Sequence, residues 1–189
     1  MKKVKTGLIL IGSLLILGTS TLSASAQGQH RYGQQPGTTT TVSSTTSYTA
    51  NHPSLSIEHP TLDQILYYAI EDEYNARAEY EKIIEEFGPV KPFSNIILSE
   101  ERHIQALIPL YTSRGWTAPA DESAAHVVVP ASLKQACEIG VQAEINNIAM
   151  YDHFLKQSLP SDVRNVFNNL KAASDNHLNA FQNKLNMYK

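Results

Sequence analysis

The sequence predicts an all-α protein in which four helices form an antiparallel bundle, with a long crossover between helices 2 and 3. Breaker residues divide residues 57–189 into four segments, of roughly 20 to 30 residues each, which suit the helices of a bundle. Each segment repeats apolar residues at alternating steps of three and four, the spacing of a helix with one buried face. Glutamate and histidine occupy some of these inward positions, so the interior is expected to carry a polar site.

The first predicted helix begins after Thr61, which forms a capping box with Gln64. Its inward positions are Leu62, Leu66, Ala69, Glu73, Ala76, Tyr80, Ile83 and Phe87. The second predicted helix has inward positions Phe93, Ile96, Glu100, His103, Leu107 and Leu110. Three of these inward side chains are ionisable, and we expect them to point into the bundle beside large apolar neighbours.

The third predicted helix begins after Ser132, which forms a capping box with Gln135. Its inward positions are Leu133, Cys137, Gly140, Glu144, Asn147, Tyr151 and Phe154. Those of the fourth predicted helix are Val163, Phe167, Leu170, Ser174, His177 and Phe181. The segment between helices 2 and 3, residues 115–130, could span about 50 Å at about 3.3 Å per residue, enough to cross the bundle. The other two connections are short and predict antiparallel hairpins.

The two halves of this region nearly repeat one another. Glu73 precedes Tyr80 by seven residues in helix 1, just as Glu144 precedes Tyr151 in helix 3. The second helix then carries Glu100-x-x-His103, whereas the fourth carries Ser174-x-x-His177. The pattern predicts a pseudo-twofold arrangement that is broken at Ser174.

Three carboxylates and two imidazoles in apolar seams predict a metal site. Each buried ion costs on the order of several kcal/mol unless it is compensated, and no Lys or Arg occupies an inward position. A divalent cation is the simplest compensation. Glu100 and His103 are one helical turn apart, so both can reach one ion.

The repeated Glu and His pairs resemble those of the ferritin-like di-iron carboxylate proteins, the superfamily of ferritin, bacterioferritin and rubrerythrin. More closely, the chain resembles the ferritin-like family named domain of unknown function 2202, over about 130 residues. The segments that carry this likeness are EDEYNARAEYEKIIEEFG, KPFSNIILSEERHIQAL, AEINNIAMYD and ASDNHLNAF.

The resemblance implies a role for each matching position. The implied terminal carboxylate ligands are Glu73 and Glu144, the implied bridging carboxylate is Glu100, and the implied imidazole ligands are His103 and His177. Tyr80 and Tyr151 would then be hydrogen-bond partners of ligands. The implied cofactor is iron, as one or two ions, with manganese or zinc as alternatives. The implied activity is that of a ferroxidase or related oxidoreductase acting with oxygen or peroxide.

Ser174 departs from this pattern, because it stands where a second bridging glutamate is expected. Its neighbour Asp175 points about 100° away around the helix and is no simple substitute. Three carboxylates leave a charge of +1 with two divalent ions and −1 with one. Single occupancy, or one tight and one weak site, is therefore an alternative to a full dinuclear centre.

Other interpretations of these residues stay open at this point. Glu73 and Glu144 could be buried hydrogen-bond acceptors, His177 could be a satisfied core histidine, and both tyrosines could serve only in packing. In function, the alternatives to an oxidoreductase are a non-catalytic metal binder or sensor and a metal-free structural surface module. The remaining histidines are expected to be solvated, namely His30, His52, His59, His126 and His153.

The N-terminal residues predict export. Lys2, Lys3 and Lys5 precede an apolar run over residues 7–18 and small residues ending at Ala26, which is the pattern of a signal peptide over residues 1–26. The apolar run is too short for a stable membrane span. Residues 27–56 are rich in Ser, Thr and Gln and predict a disordered tether, followed by the four-helix domain over residues 57–189. We expect a periplasmic or extracellular protein.

Loss of the signal peptide would remove three lysines and no acidic residue, which lowers the net charge from −3 to −6. An acidic chain without a basic run gives no support for nucleic-acid binding, and metal ions suit it better as partners. No sequence feature predicts an oligomeric state.

Overall fold

The computed structural model describes residues 48–188, which contain four α-helices and no β-strand. The helices are α1 (Leu62–Phe87), α2 (Phe93–Thr112), α3 (Leu133–Leu155) and α4 (Ser161–Asn186), and two short 3-10 helices lie at Pro53–Ser56 and Ser123–Ala125. The prediction of an all-α four-helix protein is confirmed. The predicted signal peptide, residues 1–26, and the first part of the predicted tether, residues 27–47, lie outside the described residues.

Local sequence signals set the helix ends. The Gln64 side chain accepts the backbone N–H of Thr61 at 3.0 Å, and the Ser132 hydroxyl accepts the backbone N–H of Gln135 at 3.2 Å. Both contacts belong to the predicted capping boxes. Helix α1 stops at Gly88, whose φ of 82° lies in the region that favours glycine.

The helices form an antiparallel bundle, and its core has two apolar clusters. The first cluster joins the start of α1 and of α4 to the ends of α2 and α3, through Leu66, Phe167, Leu107 and Phe154. The second cluster joins the opposite ends, through Tyr80, Phe181, Phe93 and Cys137. Helices α1 and α4 therefore run in one direction, and α2 and α3 run in the other.

This arrangement requires the connection between α2 and α3 to travel the length of the bundle. Helix α2 ends beside the first cluster and α3 begins beside the second, so residues 113–132 cross from one end to the other. The predicted long crossover is confirmed. It places α1 beside α3 and α2 beside α4, which brings all four helices around one interior.

The structure differs from the predicted tether at residues 48–56, which together with Ile57 we call the N-terminal strap. Asn51 N–H donates to Asn146 Oδ1 at 2.8 Å, and the Gln142 amide donates to the Thr49 carbonyl at 2.8 Å. The strap also carries a buried serine, Ser54. These hydrogen bonds order a segment whose composition indicates disorder, so the structured region begins before the predicted boundary at residue 57.

Two histidines that we expected to be solvated have partners in the structure. His52 of the N-terminal strap lies 3.2 Å from Asp72, with its side chain only 9% exposed. His153 Nε2 lies 2.8 Å from the Ile57 carbonyl oxygen. Both expectations were wrong for the same reason: the N-terminal strap covers the groove between α1 and α3.

Among residues 48–188, no helix combines the length and the hydropathy needed to cross a bilayer.

Candidate metal centre

A polar layer lies between the two apolar clusters, and every helix contributes to it. It consists of Glu73 from α1, Glu100 and His103 from α2, Glu144 from α3 and His177 from α4. All five residues are buried, and none of them is more than 8% exposed. The structure thus brings together all five residues predicted from the sequence as metal ligands.

The first triad consists of Glu73, Glu100 and His103. His103 Nδ1 lies 2.9 Å from Glu73 Oε2 and 2.8 Å from Glu100 Oε2. The other ring nitrogen, Nε2, lies 3.1 Å from the Ser99 hydroxyl one turn earlier on α2. Ser99 therefore fixes the ring so that Nδ1 faces the two carboxylates.

The second triad consists of Glu100, Glu144 and His177. His177 Nδ1 lies 3.1 Å from Glu100 Oε1 and 3.5 Å from Glu144 Oε1. Among the described residues, this buried nitrogen has ionic contacts with both carboxylates but no hydrogen-bond partner. The two imidazole rings stack with their centroids 5.6 Å apart.

Glu100 links the triads, because its two oxygens face different imidazoles. Oε2 is directed towards His103 and Oε1 towards His177. In each triad the three candidate ligand atoms lie within 4.8 Å of one another. The layer therefore offers two overlapping groups of donors with one carboxylate in common.

Tyr80 and Tyr151 hydrogen-bond to carboxylates across the two halves. Tyr151 OH donates to Glu73 Oε1 at 2.6 Å, and Tyr80 OH donates to Glu144 Oε1 at 3.0 Å. The pairs cross because α1 and α3 are antiparallel. Both rings also pack in the apolar clusters, with Tyr151 5.0 Å from the Phe167 centroid. Packing and hydrogen bonding are thus combined in each tyrosine.

Ser174 is buried beside the polar layer, and its hydroxyl hydrogen-bonds to neighbours outside the two triads. Within the described chain, its hydroxyl donates to Asn147 Oδ1 at 2.6 Å and to the Leu170 carbonyl at 3.1 Å. The Asn147 amide donates to Asp72 Oδ2 at 2.5 Å and, over 3.4 Å, to Glu73 Oε1. Asn147 was not among our predicted site residues. Its only sequence signal is a polar side chain at an inward position of α3.

The electrostatics of the layer depend on burial and on the carboxylate–imidazole contacts. Burial raises the pKa of Glu73 to about 8 and that of Glu144 to about 7. Burial would also raise the pKa of Glu100, but the two histidines outweigh it and hold the pKa at about 2. Glu100 is therefore the carboxylate of the layer that most favours the ionised form.

The histidine pKa values shift in the complementary direction. Burial alone lowers the pKa of a histidine, but Glu100 and Glu73 outweigh it and raise the pKa of His103 to about 10. In the same way Glu100 and Glu144 raise the pKa of His177 to about 9. The carboxylates that face the two imidazoles thus favour the protonated form of each ring.

The residues fit a divalent cation in chemistry and in placement. Each triad supplies two carboxylates and one imidazole, the mixed oxygen and nitrogen donors that iron, manganese and zinc accept. His177 Nδ1 faces the carboxylates but does not hydrogen-bond to them. This is the arrangement expected of a nitrogen and carboxylates that share a metal ion. No Lys or Arg forms an ion pair with the five side chains among the described residues.

Comparison with known proteins supports the assigned fold but gives no information on the chemistry of the site. No protein-family model and no curated protein matches the chain. The chain is similar to a hypothetical protein from Methanococcus jannaschii DSM 2661, whose crystal structure superposes with a TM-score of 0.61 and 23% sequence identity over 75% of this chain and 87% of that one. At this identity the likeness supports the fold alone.

Proposed function

We propose that this chain is an exported metalloprotein of the ferritin-like superfamily, close to domain of unknown function 2202, that binds two iron ions and oxidises them with oxygen or peroxide. The observation that carries the proposal is the placement of Glu100, whose two oxygens face two separate triads. A carboxylate in that position is suited to bridge two ions, one in each triad.

We propose iron because the ligand pattern resembles that of the ferritin-like di-iron carboxylate proteins. The carboxylate and imidazole donors in this water-poor interior would also accept manganese or zinc. Bound iron would supply redox chemistry: two Fe(II) ions give two electrons, which with two protons convert oxygen to hydrogen peroxide, or peroxide to two waters. Zinc has no such redox chemistry, so the metal present decides between an oxidoreductase and a simple binder.

The protein groups would act by position and charge. Glu73, Glu100 and Glu144 would offset three of the four positive charges of two divalent ions. His103 and His177 would give up their Nδ1 protons when an ion binds, since only the neutral imidazole is a ligand. The flanking apolar clusters would limit the entry of water.

A second function, a non-catalytic metal binder or sensor, is favoured by one observation. Ser174 takes the place of a fourth carboxylate, and its hydroxyl hydrogen-bonds to Asn147 and Leu170 rather than to either triad. A centre with three carboxylates holds its second ion less well than one with four, because less negative charge offsets it. Holding one ion for scavenging or sensing would need no oxidase activity.

The proposal also includes export from the cytoplasm. It is supported by the signal-peptide pattern over residues 1–26, with lysines at positions 2, 3 and 5 before a short apolar run. We propose a periplasmic or extracellular location. Recovery of the chain from the medium or periplasm, cleaved after Ala26, is the expected result, and recovery of uncleaved chain from the cytoplasm would contradict it.

Anaerobic Fe(II) titration followed by oxygen tests the proposed activity. We expect two Fe(II) ions per chain and uptake of one oxygen molecule per two ions, with a new near-ultraviolet absorbance. Glu101→Gln is a matched control, because its side chain is 45% exposed and pairs with Arg77 outside the centre. Two bound ions without oxygen uptake would favour the binder, and no bound iron would favour a metal-free structural module.

A further inference from the structure

The two halves of the bundle can be compared position by position. Adding 71 to a residue number takes the inward positions of α1 onto those of α3, so that Glu73 matches Glu144 and Tyr80 matches Tyr151. Adding 74 takes α2 onto α4, so that His103 matches His177. Among the inward positions of the polar layer, the halves differ in chemistry at two neighbouring places.

These two differences offset each other in size. The first half has the small Ala76 and the large Glu100, whereas the second has the larger Asn147 and the small Ser174. Asn147 and Ser174 are 6% and 2% exposed, and their side chains meet at 2.6 Å. Asn147 therefore extends from α3 into the space that a glutamate at position 174 would need.

Hydrogen bonds fix the orientation of the Asn147 amide. Its oxygen accepts from Ser174, which can donate, and its nitrogen donates to the carboxylates of Asp72 and Glu73. Asp72 is held in turn by His52 of the N-terminal strap. The amide thus presents one N–H to Asp72 and the other, over 3.4 Å, to Glu73 Oε1, which also accepts the Tyr151 hydroxyl.

We propose that Asn147 and Ser174 together form a neutral replacement for the second bridging carboxylate, and that Asn147 is a positioning residue for Glu73. The centre is then built for three carboxylates, and the broken symmetry at Ser174 is matched by a second change rather than being a simple loss. This proposal rests on the proposed metal site for its functional meaning. Its packing part does not depend on metal.

Restoring the symmetry of the two halves requires changes at both position 147 and position 174. Ser174→Glu alone places a longer acidic side chain against the Asn147 amide, in space that is already filled. Asn147→Ala alone leaves a cavity and removes one donor from Glu73. The double variant N147A/S174E recreates the Ala76 and Glu100 pair of the first half.

Thermal unfolding of the four metal-free proteins tests the packing. We expect both single variants to melt at lower temperature than the wild type, and the double variant to melt above Ser174→Glu, the non-additive behaviour of residues in contact. A double variant that melts at or below Ser174→Glu would overturn the proposal. Because the melting temperatures are measured without metal, this test of the packing does not depend on whether the wild type binds iron.

Titration with Co(II), followed by its visible absorbance, tests the role at the centre. We expect the second Co(II) to bind at least tenfold more tightly to the double variant than to the wild type, and Ser174→Glu alone not to give this gain. Asn147→Ala should weaken Co(II) binding about tenfold or more, as the loss of a ligand's hydrogen-bond partner does, and Asn147→Gln should restore part of it. An equal gain in Ser174→Glu alone, or unchanged binding in Asn147→Ala, would overturn the proposal.

Discussion

Glu100→Gln is the substitution that most sharply separates a structured polar centre from a set of independent buried side chains. Glu100 is 2% exposed and contacts an imidazole with each oxygen, at 2.8 Å to His103 and 3.1 Å to His177. Glutamine keeps the shape of the side chain but removes the negative charge that raises the pKa of both imidazoles. Breaking a buried ion pair by removing one partner costs about 3–5 kcal/mol, so we expect a loss of that size at pH 7 in the metal-free protein.

The same substitution should remove the shared ligand of both triads. Loss of a partner that only hydrogen-bonds to a ligand lowers metal affinity by about 10- to 100-fold. Loss of a ligand common to two ions should therefore lower the affinity for Mn(II) by more than about 100-fold, and the second ion should not bind at all. Both triads are affected because Glu100 belongs to each.

Urea unfolding followed by circular dichroism measures the first effect, and Mn(II) titration followed by electron paramagnetic resonance measures the second. Glu101→Gln is the control on the same helix, and its exposed pair with Arg77 should contribute about 1 kcal/mol or less. If Glu100→Gln unfolds like the wild type and still binds two Mn(II) ions, Glu100 is not the link between the triads and the reasoning fails.

Four further predictions concern the centre and the apolar clusters on either side of it. Tyr151→Phe should destabilise the protein by about 1–3 kcal/mol in urea, because it leaves a buried oxygen of Glu73 short of a 2.6 Å hydrogen bond, and should weaken Mn(II) binding about tenfold or more. Tyr111→Phe should be neutral or stabilising in the same assay, since the Tyr111 hydroxyl is buried without a partner among the described residues. Gly140→Ala should cost about 1–3 kcal/mol, because the added Cβ would lie 2.8–2.9 Å from ring atoms of the fully buried Phe181. The melting temperature of the metal-free protein should fall as the pH rises from 6 to 9, whereas that of the metal-loaded protein should not.

The sign of the pH prediction follows from the proton balance. His103 and His177 have raised pKa values of about 10 and about 9, so the stability they add is present below pH 6.5 and is lost as the pH rises through those values. The raised pKa values of Glu73 and Glu144 act in the same direction, because folding opposes their ionisation. Each proton contributes about 1.4 kcal/mol per pH unit. A melting temperature that rises over this range in the metal-free protein would contradict the assignment.

The helices and the five candidate ligands were predictable because both depend on helical spacing. Glu100 and His103 lie one turn apart on the inward face of α2, and any packing of that face against three other helices brings them to the interior. The crossover followed from the length of one connection. In each case the position of a side chain is decided by the helix that carries it.

The contributions of Asn147 and of the N-terminal strap were not predictable in the same way. An inward asparagine carries no sign of which groups it will join, and its role is visible only once α1, α3 and α4 are placed together. The sequence predicts disorder in the N-terminal strap because the order of this segment depends on a few hydrogen bonds from side chains nearly 100 residues away. One example is the bond from Gln142 to the Thr49 carbonyl. His52 was misjudged for that reason, since its partner lies on α1.

Anomalous diffraction from crystals of the Mn(II)-loaded protein tests most directly whether the polar layer is a metal centre. We expect two anomalous peaks between the helices, each within bonding distance of an oxygen of Glu100 and of Nδ1 of one imidazole, His103 or His177. Anomalous peaks found only at surface carboxylates, with the two triads free of metal, would contradict it.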